Sequence, residues 1–167
     1  MMRHLTLGAL VCLCVGIGTA APAQTTDPQL IAPINRFMEA FNKGDMTAAA
    51  ATHASDADLV IIDEVPPYLW RGAQAFQTWA ADLTSDDKKN GVTDQKVSIG
   101  APTRVEMVGT AAYVVVPSVY TFKQKGVAMR ETAQMTFTLK KSPSGWLIHG
   151  WTWTGPKARK VTGAASK

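Results

Sequence analysis

The run Gly145-Trp-Leu-Ile-His-Gly-Trp-Thr-Trp153 sets a histidine and two tryptophans at every second position. Alternate side chains of an extended strand share a face, so His149, Trp151 and Trp153 are expected on one wall. Imidazole exchanges a proton near neutral pH and indole stacks on flat molecules, the usual make-up of a small-molecule site. The plainer alternative for His149 is a hydrogen-bonded core residue. Tyr120 joins the candidate wall through alternation with Val114, Val116 and Ser118, the face taken as inward, although Pro117 could introduce a bulge that reverses it.

These side chains need a frame, and the chain supplies two kinds of pattern in succession. Asp27-Pro28 is a capped helix start, and Leu30, Ile34, Phe37, Met38 and Phe41 recur at helical spacing up to Gly44. Asp45 caps a short alanine-rich helix from Met46 to about His53, and Asp58–Asp63 reads as a buried strand. A loop containing Pro66-Pro67 follows. Gly72 opens a third helix whose Phe76, Trp79, Ala80 and Leu83 share a face, ending in a charged loop over Ser85–Asn90. From Thr93 to Thr154 the pattern is strand-like, with turns at Val108–Thr110, Lys123–Gly126 and Ser142–Gly145, which predicts a four-strand antiparallel meander.

Helices first and long strands later make an α+β class. Three helices can cover one face of such a sheet. The other face also carries apolar residues, since Val114 and Val116 alternate with Tyr113, Val115 and Val119, so a homodimer packed through the sheet is expected.

Composition narrows the function classes. The 167 residues, 46% hydrophobic and 18% charged, suit one globular domain. Arg3 and His4 precede an apolar run from Leu5 to Ile17 and an Ala21-Pro22-Ala23 triplet, which reads as a secretory signal peptide over residues 1–23 with mature protein from Gln24. The apolar run falls short of the about 20 residues a spanning helix needs, so no membrane span is expected. Periplasmic or secreted localisation follows. Both cysteines, Cys12 and Cys14, lie in that leader, so neither a disulfide nor a thiol nucleophile is expected in the exported part.

Of 17 basic residues, Arg3 lies in the leader and Lys157, Arg159, Lys160 and Lys167 lie beyond Gly155-Pro156, which leaves the body between nearly balanced against 13 acidic residues. Residues 157–167 read as a basic flexible tail, and scattered charge elsewhere gives nucleic-acid binding no support. Outside the leader the histidines are His53 and His149 alone, with no cysteine beside them and no glycine-rich phosphate loop after a strand. No metal and no cofactor are therefore expected.

The order of elements, with Phe41-Asn-Lys-Gly-Asp45 ending the first helix, Asp63 closing the first strand, Trp70-Arg-Gly72 opening the third helix and Gly145-Trp-Leu-Ile148 starting the last strand, resembles the nuclear transport factor 2-like superfamily. Its SnoaL-like polyketide cyclase and ketosteroid isomerase-like branch is the part this chain is similar to, over residues 28–156. The resemblance implies a single domain over residues 24–156: a cone-shaped, curved antiparallel sheet wrapped around three N-terminal helices, the cystatin-like α+β roll. It also implies a deep apolar cavity at the wide end. In the ketosteroid isomerase pattern the general base is an aspartate nine residues before the glycine that opens the third helix, and Asp63 stands at that distance from Gly72.

A carboxylate pointing into an apolar cone resists ionisation and suits proton abstraction near neutrality. On the residues alone, Asp63 could equally cap the turn after it, with Glu64 and the prolines making a polar loop. The pattern's two oxyanion donors fall on Phe37, which has no proton to give, and near Thr136, so steroid isomerase activity itself is not expected. The resemblance places Tyr68 and Trp70 over the cone mouth.

The leading expectation is an exported protein that binds a small apolar or aromatic molecule through Tyr68, Trp70, Trp79, Tyr120, Trp151 and Trp153. The first rival is an isomerase, lyase or cyclase with Asp63 as general base and His149 as proton partner. The second is a dimeric interaction module with a filled pocket.

Overall fold

The computed structural model describes residues 27–162. The expected signal peptide over residues 1–23 and the chain end beyond Thr162 lie outside the described residues.

Helix α1 (Pro28–Asn42) starts where Asp27 accepts a hydrogen bond from the Gln29 backbone N–H (2.9 Å). Leu30, Ile34, Phe37 and Met38 repeat at helical spacing and are all buried, so one stripe of this helix packs into the core. Asn42, its last residue, forms a two-way amide bridge with strand backbone: Nδ2 donates to Val97 O and Oδ1 accepts from Val97 N, both at 2.8 Å. Gly44 then turns the chain at φ +71°, and Asp45 caps the short helix α2 (Met46–Ala50) through Ala48 N.

Strands β1 (Val60–Ile62) and β2 (Leu69–Arg71) form a hairpin, and helix α3 (Ala75–Asn90) follows. The chain then lays down β3 (Val92–Ile99), β4 (Arg104–Val108), β5 (Ala111–Gln124), β6 (Val127–Ser142), β7 (Gly145–Thr154) and β8 (Arg159–Lys160). The sheet order is β2-β1-β7-β6-β5-β3, with β4 beside β5 and β8 beside β6. Pairing is antiparallel except between β1 and β7, so the sheet is mixed rather than purely antiparallel.

Four expectations are corrected at the level of elements. The first long strand is broken at Gly100–Thr103 into β3 and β4, which pair with opposite halves of β5. The charged segment Ser85–Asn90 is helix, not loop: Lys88 and Lys89 complement the C-terminal dipole, and the chain leaves at Gly91 with φ +66°. The second helix ends at Ala50, short of His53. The basic segment after Pro156 begins folded, since Arg159 and Lys160 pair with Arg130 and Met129 and so continue the row of β7 along β6.

Two faces of the sheet differ sharply. Val114, Val116, Met135, Phe137, Leu139, Ile148 and Trp151 are buried against the helices. Pro117 pairs with Gln134 without a register shift, so Ser118 and Tyr120 keep to that inner face as expected. The outer face alternates with it through Thr132, Gln134, Thr136 and Thr138.

Candidate functional site

Asp63 reaches the interior by simple alternation. Ile61 is fully buried, Ile62 is exposed, and the next side chain turns back inward. The Asp63 N–H donates to Tyr68 O (3.2 Å), closing the hairpin loop and holding the residue in place. Its carboxylate accepts from Trp79 Nε1 at 2.7 Å on one oxygen and from the Glu64 backbone N–H at 2.8 Å on the other. Burial pushes its pKa up, opposed by those two hydrogen bonds and assisted by the charge of Glu131.

Beside Asp63 lies a cavity of about 370 Å³. Phe37, Phe41, Trp79 and Trp151 form one side, with Trp79 and Trp151 edge to face at 5.0 Å between centroids. Tyr120, Phe122 and Trp153 form the other: Tyr120 stacks on Phe122 at 4.6 Å and meets Trp153 edge-on at 6.1 Å. Polar groups gather at the margins, namely Asp63, Glu64, Asp86, Asp87, Gln95 and Lys157, of which Glu64 and Lys157 are exposed.

The aromatic side is rigid because its polar atoms are already engaged. Trp151 Nε1 donates to His53 Nε2 (3.1 Å) in the buried core. An indole N–H can only donate, so Nε2 must be the bare nitrogen and Nδ1 carries the proton, which it gives to Ala49 O at 3.0 Å. Burial lowers the His53 pKa to about 4, only partly offset by the Ala49 carbonyl. The ring packs on Phe37 at 4.7 Å and on Phe76 at 4.5 Å, a structural histidine rather than a proton carrier.

The polar end is built differently. Glu131 is 1% exposed and stands opposite Tyr120 in the β5–β6 register, which puts it on the inner face. Its Oε1 accepts from Trp153 Nε1 at 2.7 Å, while Oε2 is buried with no donor. Glu64 lies against it. Partial burial and the neighbouring Glu131 carboxyl raise the Glu64 pKa to about 8; Asp63 adds to this and Lys157 opposes it. At neutral pH Glu64 therefore holds a proton. Tyr120 donates to Gln95 Oε1 at 2.6 Å, and Gln95 donates to Asp87 at 2.6 Å.

Of the residues expected from sequence, Asp63, Trp79, Tyr120, Trp151 and Trp153 meet at this cavity. Tyr68, Trp70 and His149 are not among its lining. Tyr68 points outward, 58% exposed at φ +75°. Trp70 is buried in the core and donates to Asp82 at 2.8 Å. His149 sits 3.6 Å from the exposed Asp56, so it does not share a hollow with Asp63.

The reason is a bulge in β7. Leu139 pairs with Ile148 and Thr138 with Gly150, which leaves His149 as the extra residue. Ile148 and Trp151 can then both face inward while His149 faces away. Gly150 is required there, since a β-carbon would lie 2.9 Å from Val60 O.

Alternation alone missed Glu64, Glu131, Asp87, Gln95 and Lys157. One of them left a trace: Glu131 occupies the inner register of β6 with Ala133, Met135, Phe137 and Leu139, a carboxylate in an otherwise apolar series. At the two positions that the resemblance assigned to oxyanion donors, Phe37 is a cavity wall and Thr136 lies on the opposite face from Met135 and Phe137.

The SnoaL-like domain model matches residues 31–151 of this chain. No curated protein matches it. Among solved structures, a nuclear transport factor 2-like superfamily protein from Salmonella enterica serovar Typhimurium LT2 aligns with TM-score 0.64 and 19% identity over 83% of this chain and 95% of its own. A ketosteroid isomerase-like protein from Erwinia carotovora atroseptica SCRI1043 gives 0.58 and 22% over 80% and 94%. A hexachlorocyclohexane dehydrochlorinase of type 2 gives 0.63 and 12% over 81% and 91%. At these identities the likeness is one of fold.

Proposed function

The chain belongs to the SnoaL-like domain family of the nuclear transport factor 2-like superfamily, and from that premise we propose that it binds a small, flat, largely apolar organic molecule in the aromatic cavity. One observation carries the reading: about 370 Å³ of space is walled by aromatic rings around one inward carboxylate, Asp63, with both of its oxygens held by donors. Apolar walls supply affinity and the few fixed polar groups supply orientation.

Native mass spectrometry of freshly purified protein tests this directly, a retained organic molecule being the expected result. Tryptophan emission gives a second readout, because Trp79, Trp151 and Trp153 all line the cavity. A protein that carries no molecule, and whose emission is unmoved by aromatic ligands, would leave the cavity without a function. In the binding reading Asp63→Asn changes affinity by less than about tenfold, the worth of one hydrogen bond.

The position of Asp63 favours a second reading. A buried carboxylate held above its usual range against ligand space can take a proton from carbon, which would make the protein an isomerase, lyase or cyclase. Its proton partner would then be Glu64 rather than His149. Under this reading Asp63→Asn abolishes turnover and spares affinity.

The outer sheet face, with Tyr113 partly exposed beside Val115 and Val119, is where we propose that two copies meet. A monomeric mass by light scattering at micromolar concentration would refute that pairing.

A further inference from the structure

On the reading of the cavity as a ligand site, we propose that its ligand is a cationic amine on a flat apolar body. The ammonium group would sit at Asp63 and Glu64, with Glu131 buried beside Glu64, and the body among the tryptophans.

The first ground is an imbalance of charge at the cavity. Four carboxyls, Asp63, Glu64, Asp86 and Asp87, line it against a single basic side chain, Lys157. They come in two pairs, one on the β1–β2 loop and one on α3. Burial raises the Tyr120 hydroxyl above its ordinary range, and the charges of Asp87, Asp63, Glu64 and Glu131 all add to that rise. An anionic ligand would meet the same repulsion, whereas a cation relieves it.

The second ground is independent of the cluster. Glu131 is almost wholly enclosed, and its Oε2 has no donor while Oε1 is taken by Trp153. A buried acceptor without a partner is costly, and an ammonium group brings three donors with its charge. Glu64 beside it is held protonated at neutral pH, so a bound ammonium group and that proton oppose one another.

Calorimetry of the full chain with 2-(1-naphthyl)ethylamine, 2-(1-naphthyl)ethanol and 3-(1-naphthyl)propanoate separates the possibilities. The amine is expected to bind at least about tenfold tighter than the alcohol, with the carboxylate weakest. Binding of the amine at neutral pH should release protons as Glu64 ionises, and its affinity should rise several-fold between about pH 6 and about pH 8.5. The groups facing Glu64 are Asp63 on its own loop, Glu131 on β6 and Lys157 beyond β7, and none of them imposes the opposite trend.

Glu64 is exposed, so Glu64→Gln should fold; it should remove the proton release and reduce the preference for the amine over the alcohol. An alcohol that binds as tightly as the amine, or an amine whose binding releases no proton, overturns the inference and leaves the cavity a neutral-ligand site. Failure of all three probes to bind refutes the cavity reading itself.

Discussion

The two ends of the cavity are assembled on opposite principles. At the aromatic end Trp151 gives its N–H to His53, and His53 passes its own proton to Ala49, so every polar atom of the pair is engaged before a ligand arrives. At the acidic end Glu131 keeps one buried oxygen without a donor, and Glu64 is pushed up to about 8 beside it. A closed network makes rigid wall. An open one leaves a place for a charge or a proton, and on the proposed reading that place is at Asp63 and Glu64 rather than at either histidine.

The contrast can be broken most strongly at the wall. Phe37 is 2% exposed and packs against Phe76, Trp79, Trp151 and His53, so Phe37→Ala should cost about 3–5 kcal/mol in denaturant unfolding. Acid should attack the same end. His53 has a folded pKa near 4, below its unfolded value of 6.5, so the unfolded chain binds the proton more readily. Its contribution is complete above pH 6.5 and falls away as pH drops through 4, roughly 3 kcal/mol across that window by linkage. Replacing His53 by Gln should flatten this part of the stability profile measured by urea titration.

The smallest effect is expected outside both ends. His149 lies at the bulge beside exposed Asp56 at 3.6 Å, a weak contact, and His149→Gln should change stability by less than about 0.5 kcal/mol. The same substitution should leave ligand affinity unaltered in a fluorescence titration. A large loss of either would restore His149 to the site.

Much of this architecture was legible in the residues. The capped, periodic first helix, the face shared by Phe76, Trp79 and Leu83, and the inward run of Val114, Val116, Ser118 and Tyr120 all follow from local pattern, because side-chain direction repeats with the backbone. Trp79, Tyr120, Trp151 and Trp153 line the cavity, as does Asp63, to which the resemblance rather than local pattern pointed. His149 does not line it, because one extra residue in β7 reverses a period of two, and the glycine after it is required by Val60 and Thr138, residues distant along the chain.

Local sequence therefore determined which segments are helix and strand and most of the faces they bury, since propensity and periodicity act over a few neighbouring residues. Tertiary structure alone decided which titratable groups meet. Glu64, Asp87 and Lys157 line one cavity from the hairpin loop, α3 and the strip after β7, and Glu131 of β6 acts on both Glu64 and Tyr120; only folding brings these four segments together. Electrostatic coupling depends on distance through space, which no spacing along the chain encodes.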